Sequence, residues 1–281
     1  MMRPNINNLL SDFVVKLRIQ RYAPASIKTY KNALSKFLIA FQKQDLEQVT
    51  VQQVQLFIHH LQTKHHISAV YQRQILASIT KFYTLFYNRS IDLSLLYPKR
   101  KAKPLPKYLT VSEVKRLLSL CRNLKHLCIL QILYGCGLRV SEVLALKIAD
   151  IDSDAMCLMV REAKGKKDRA LPLPQTLLYN LRQYYLAYRP EGYLFEGQKG
   201  GEYTAKSIQN FIKKYAREAK IQKSVTPHML RHSYATHQLE NGVNIRYVQE
   251  LLGHNSIKTT ELYTHVTKIS KNKIASPLDH L

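Results

Sequence analysis

The sequence predicts a mostly α-helical chain in two domains, the second carrying one small antiparallel β-sheet. Three observations predict it. Apolar residues recur at helical spacing through most of the 281 positions. A basic, proline-rich run from Tyr97 to Lys107 interrupts that spacing and reads as an extended linker. Met156 to Leu173 reads instead as two strands around a lysine-rich turn.

In the first domain, Ile6, Leu9, Leu10, Phe13, Val14 and Leu17 share one helix face. Ala23-Pro24 breaks this pattern. Ile27, Tyr30, Leu34, Phe37 and Leu38 mark a second helix, with Lys28, Lys31 and Lys36 on other faces. Val51, Val54, Phe57, Ile58 and Leu61 mark a third, and Tyr71, Ile75, Ile79, Phe82, Tyr83 and Phe86 a fourth. Short connections make this a four-helix domain, residues 1–96. His59, His60, His65 and His66 lack a Cys or carboxylate partner at ligand spacing and read as surface polar residues rather than metal ligands.

After the linker, 97–107, the second domain is expected to span 108–281. Thr110 and Glu113 form a capping box that starts a helix. A helix from about Leu124 to Tyr134 follows, then the break Gly135-Cys-Gly137, then a helix opened by Leu138-Arg139-Val-Ser-Glu142. Arg139 reads equally as an ion-pair partner of Glu142 or as an anion ligand beside permissive glycines. Lys164 lies near the hairpin tip, where a lone lysine is ordinarily just exposed. The Walker pattern is absent, so nothing supports ATP binding. Helices near Gln175–Tyr188 and Thr204–Lys220 lead to Thr226.

The stretch Thr226 to Tyr263 organises the rest. Thr226 is an N-cap and Pro227 suits the first helical position. His228 and Arg231, three apart, then share a face at the helix end that attracts anions. Asn241-Gly242 ends this helix. Asn244 to Leu252 forms the next, burying Ile245, Val248, Leu251 and Leu252, with Gly253 as its stop and His254 directly after. Ser256 caps a third short helix carrying Tyr263. Tyr234 and Tyr247 read as packing residues. His232 and His237 share the His228 helix, but no HExxH or neighbouring carboxylate supports a zinc site. His265 reads as a neighbour of Tyr263 rather than a ligand.

The net charge is +24, with 43 Lys and Arg against 19 Asp and Glu. Such a charge points to a polyanionic partner, above all nucleic acid, rather than to a basic surface kept for solubility. It is spread evenly: residues 1–103 hold 16 basic and 4 acidic residues, half the excess. Two basic domains on a basic link suit a clamp around one duplex. Cys121, Cys128, Cys136 and Cys157 form no CxxC pair and read as reduced thiols of a cytosolic protein. The N-terminus has no signal-peptide core, and no run of about 20 apolar residues is present to span a membrane.

Each motif alone is weak. Together, Gly-Cys-Gly-Leu-Arg139-Val-Ser-Glu, Lys164-Gly-Lys, His228-Met-Leu-Arg231-His, Leu-Leu-Gly-His254 and Tyr263 resemble the tyrosine recombinases, the family of phage-type integrases and Xer-type recombinases. The resemblance covers most of the chain. It implies an N-terminal core-binding domain of SAM-like fold and an α-rich catalytic domain with a small antiparallel sheet. It also implies site-specific cutting and rejoining of DNA through a 3′-phosphotyrosyl intermediate on Tyr263. Only 63 residues separate Lys164 from His228. That leaves little room for the insert of integron integrases and favours an Xer-like or mobile-element enzyme of DNA integration, excision or resolution.

The resemblance assigns Arg139, Lys164, His228, Arg231, His254 and Tyr263 as catalytic residues, with no metal and no cofactor. A tyrosine of pKa about 10 is a poor nucleophile at neutral pH and needs a base or a positive field. Arg139 and Arg231 suit the phosphate oxygens, with His254 as a further donor, His228 as phosphate ligand or proton-transfer partner, and Lys164 as general acid on the leaving 5′-oxygen. The expected partners are double-stranded recombination sites built from inverted-repeat half-sites. The free chain is expected to be a monomer and the synaptic complex a homotetramer, in a bacterial-type cytosol and nucleoid. The tail from Lys268 carries Ile269, Ile274, Leu278 and Leu281, which the resemblance assigns to docking on a neighbouring subunit. A catalytically inactive DNA-binding protein on the same fold is the alternative. A tyrosine nickase is disfavoured, because it would need a metal and His pairs near the nucleophile.

Overall fold

The computed structural model describes residues 5–99, 106–161, 168–197 and 200–264. The chain divides into two compact units, residues 1–102 and 103–281. The described residues form twelve α-helices and three strands.

The first unit contains α1 (Ile6–Ile19), α2 (Pro24–Ala40), α3 (Val51–His65) and α4 (Ala69–Tyr87). Pro24 opens α2 rather than merely ending what precedes it, since its missing N–H costs nothing at the first helical position. Thr50 and Gln53 cap α3 reciprocally, and Ser68 caps α4. α2 packs against both α1 and α4. Phe13, Phe37, Phe57, Phe82 and Tyr83 meet in one aromatic core, with Phe37 and Phe57 edge to face at 6.0 Å. The buried Tyr83 hydroxyl donates to the Leu46 carbonyl at 2.7 Å. Lys28, Lys31, Lys36 and the four histidines of α3 and its end are exposed.

The second unit begins with α5 (Val111–Ser119), whose Thr110–Glu113 capping box forms as expected. α6 (Leu124–Gly135) buries Cys128, Ile129, Leu130, Ile132 and Leu133. A helix apolar on every face must be enclosed, and α8 (Gln175–Tyr188), α9 (Ala205–Glu218) and α10 (Pro227–Glu240) pack around it. Between them lie α7 (Val140–Ala145) and an antiparallel sheet of β1 (Ile151–Asp152), β2 (Cys157–Val160) and β3 (Arg169–Pro172), in that order. Leu158 pairs with Ile151 on one side and Leu171 on the other. The sequence pattern supplied β2 and β3; β1 adds an edge strand of two residues, too short to leave a period.

α11 (Ile245–Leu252) and α12 (Lys258–Thr264) pack against α10. Val248 and Leu252 of α11 are fully buried, while Ile245 and Leu251 are half-buried. Tyr247 is a correction: it is 64% exposed, on the outer face of α11, rather than a packing residue. Tyr234 is buried as expected, its ring seated over Gly137. Cys121, Cys128 and Cys136 are buried free thiols, and burial pushes the Cys128 thiol up to about 12. Among the described residues no helix is long and apolar enough to cross a membrane.

Candidate active site

The site is assembled where two glycine turns meet the start of α10. Thr226 caps α10 by accepting from the Met229 amide at 3.2 Å. This fixes the register that puts His228 in the first turn and Arg231 and His232 in the next. The Ser233 hydroxyl accepts from the Leu109 amide at 2.9 Å and donates to the Met229 carbonyl, tying the segment before α5 to α10. Gly137 has φ of +65°, and a Cβ there would lie 2.4 Å from the Tyr234 ring. Only glycine permits both the turn and the close approach. Its carbonyl accepts from Arg231 Nη1 at 2.6 Å. Gly253, at φ of +60°, ends α11, and the carbonyl before it, that of Leu252, accepts from Arg231 Nη2 at 2.5 Å.

Arg231 is therefore held by two backbone carbonyls and is 1% exposed. Its Nε is a buried donor without a hydrogen-bond partner among the described residues. Burial and the neighbouring Arg139 charge lower its pKa to about 10, against the pull of Glu142. It stays charged at neutral pH.

Arg139 caps α7. Its Nη1 donates to Glu142 at 2.8 Å and its Nη2 to the Gly253 carbonyl at 3.2 Å. Of the two sequence readings of Arg139, the ion pair with Glu142 is formed. Glu142 also receives two hydrogen bonds from Arg169, at 2.9 and 3.2 Å, and one from the Arg139 amide at 2.8 Å. Arg231 Nη1 lies 3.8 Å from the same carboxylate. Burial alone would raise the Glu142 pKa, but the Arg169 and Arg139 contacts outweigh it and hold the carboxyl near 2. Arg169 Nε donates to the Leu251 carbonyl at 2.9 Å. One carboxylate thus spaces three guanidiniums and ties β3 to the end of α11. Sequence reasoning missed Arg169 and used Glu142 only as a pairing partner.

Tyr263 is 2% exposed on α12. Its hydroxyl meets His232 Nδ1 at 2.8 Å. The resemblance makes His228 a phosphate ligand or proton-transfer partner of the tyrosine; among the described residues it is His232 that the hydroxyl meets. His228 is the more exposed of the two histidines, and its ring stands 4.3 Å from that of His232.

 His254 follows Gly253, its ring parallel to that of Tyr263 at 6.4 Å, and its Nδ1 meets the buried Thr260 hydroxyl at 2.9 Å. Burial raises the Tyr263 pKa, and the Arg231 and Arg139 charges act against that rise. Burial, with His228 and Arg231 as neighbours, lowers His232 to about 4. Burial, Arg231 and Arg139 likewise lower His228. Both rings are neutral at neutral pH.

The structure thus brings together Arg139, His228, Arg231, His254 and Tyr263, five of the six residues singled out in the sequence. Lys164, the sixth, lies outside the described residues, as does the tail from Lys268. His232 was weighed in the sequence only as a zinc ligand. Its signal was the second histidine of His228-Met-Leu-Arg231-His, one helical turn after the first.

A buried arginine, a second arginine, three histidines and a tyrosine thus stand together at the two glycine turns. Residues 107–269 match the phage integrase family, and residues 9–93 match the N-terminal SAM-like domain of phage integrases. The chain belongs to the phage integrase family, and is a tyrosine recombinase by that membership. It is 35% identical over 265 residues to tyrosine recombinase XerA of Pyrococcus horikoshii, covering 93% of this chain and 90% of that one. It is 34% identical to tyrosine recombinase XerD of Oceanobacillus iheyensis, covering 92% and 94%. A crystal structure of XerA recombinase aligns over 94% of this chain and 95% of that one, at 30% identity and a TM-score of 0.56. XerH recombinase in a post-cleavage complex with palindromic difH substrate shares the fold, at a TM-score of 0.72 and 23% identity over 86% of this chain and 76% of that one.

Proposed function

We propose that the chain is a site-specific DNA recombinase that cuts and rejoins strands through a 3′-phosphotyrosyl link to Tyr263. The observation that carries this reading is the grouping of the Tyr263 hydroxyl with Arg231, Arg139 and His254 at the two glycine turns. The scissile phosphate is taken up at Arg139, whose side chain is 30% exposed, with the buried Arg231 charge behind it. Negative charge gathers on the non-bridging oxygens during attack, where fixed guanidiniums stabilise it most. His254 and His228 add donors to the same oxygens. Lys164 is assigned the proton for the leaving 5′-oxygen. The link to tyrosine conserves the phosphodiester energy, so rejoining needs no nucleotide.

Residues 1–96 are assigned to the core of the recombination site, 97–107 to a basic link, and 108–281 to catalysis, the two domains clamping one duplex. The DNA sites are inverted-repeat half-sites, each bound by one chain, with four chains in the synapse. The enzyme works in the cytosol, where such DNA is held. The relatives' names and the shared fold support DNA as partner.

The test is Tyr263→Phe. Covalent adducts are first mapped on DNA flanking the source gene, and the mapped duplex is made as a nicked suicide substrate. The variant is expected to bind that duplex within a few-fold of the parent chain and to form no adduct on a denaturing gel, because binding rests on spread charge and cleavage on one oxygen. An adduct persisting in Tyr263→Phe overturns the assignment.

A further inference from the structure

We propose that His232 is a catalytic residue: it takes the proton from the Tyr263 hydroxyl as the phenolate attacks, and returns it when the strand is rejoined. This rests on the recombinase reading above and deepens it. The geometry carries it. Among the described residues, the hydrogen-bond partner of the nucleophile's oxygen is His232 Nδ1, at 2.8 Å. The other candidates are otherwise placed. His254 Nδ1 is turned to Thr260, His228 is on the exposed side of His232, and Glu142 is saturated by arginine donors.

The groups around His232 are His228 and Arg231 on its own helix and Tyr263 on α12, with Arg139, Glu142 and His254 at the same site. In the free chain the imidazole is neutral, held down first by burial and then by His228 and Arg231. It therefore has a lone pair to offer. An arriving phosphate brings negative charge beside Arg231, which offsets one cause of that depression and strengthens the base when substrate is in place. His228, ring to ring with His232, offers the proton a way towards solvent.

The step balances. The Tyr263 O–H proton moves to His232 Nδ1, the phenolate oxygen forms the bond to phosphorus, and the phosphorus–O5′ bond breaks. The 5′-oxygen leaves with a proton from a general acid. Rejoining reverses each transfer, and His232 returns its proton to Tyr263.

The experiment measures single-turnover adduct formation on the mapped duplex carrying a 5′-bridging phosphorothiolate, whose leaving group needs no acid. His232→Asn retains a hydrogen-bonding group near Nδ1 but accepts no proton, and His232→Phe retains only the ring shape. Both are expected to bind the duplex like the parent chain and to form adduct at least about 100-fold more slowly, the usual range for losing a general base. The rate of His232→Asn is expected to rise about tenfold per pH unit, with hydroxide as base, across a range where the parent rate is flat. A His232→Asn rate within threefold of the parent, or a pH profile parallel to it, overturns the proposal and leaves His232 a positioning residue. Absence of any Tyr263 adduct in the parent chain would instead sink the recombinase reading itself.

Discussion

Glu142→Gln tests how the guanidiniums are kept together. The carboxylate accepts from Arg139 and Arg169 and lies 3.8 Å from Arg231, which is itself 1% exposed. Glutamine preserves the shape and removes the charge. Three cations then face one another with no anion between them, one of them fully out of water. Removing one member of a buried ion pair costs about 3–5 kcal/mol, because the partner is left charged and uncompensated. For a unit of this size each kcal/mol shifts the midpoint by about 2–4 °C, so a fall of roughly 6–20 °C is expected in a thermal melt. Two further readouts identify the cause. Duplex DNA, which returns negative charge to the site, is expected to raise Tm more in Glu142→Gln than in the parent. Glu142→Gln combined with Arg169→Met is expected to be less destabilised than the sum of the two changes, since residues sharing one network are not additive. A Tm within about 2 °C of the parent, or strict additivity, would refute the view that this carboxylate spaces the arginines.

Gly137→Ala is expected to destabilise by about 2 kcal/mol or more, through its positive φ and the clash with Tyr234, and to abolish adduct formation by displacing Arg231. Gly242→Ala, at φ of +86° but facing open space, is the control and should cost about 1 kcal/mol in a denaturant titration. Stability is expected to fall as pH drops from about 6.5 to about 4, where unfolded histidine binds protons that His232 and His126, both held near 4, refuse. His126→Gln should flatten the urea-midpoint profile against pH. Fragments 1–103 and 104–281 should each bind duplex DNA more weakly than the whole chain, with smaller salt slopes, since each holds half the excess charge. Either fragment matching the intact chain in both measures would remove the clamp.

Most of the secondary structure was determined by the sequence itself, because its causes are local. Helix faces repeat every three or four residues, and the caps Thr110, Thr226 and Gly253 act on amides or carbonyls within a turn of themselves. Order and spacing also made Arg139, His228, Arg231, His254 and Tyr263 legible, through their resemblance to a family. What the sequence did not contain is which atoms meet. Tyr247 has the composition of a packing residue, but only the docking of α11 on α10 decides that its side faces water. Arg169 looks like one more base in a basic hairpin, until β3 brings it to a carboxylate 27 positions earlier in the chain. His232 and Tyr263 are 31 positions apart, and helix periodicity says nothing across such a gap. Their contact is set by the apolar packing of α12 onto α10, a burial force without direction. The tertiary structure alone therefore chose which of two neighbouring histidines holds the nucleophile.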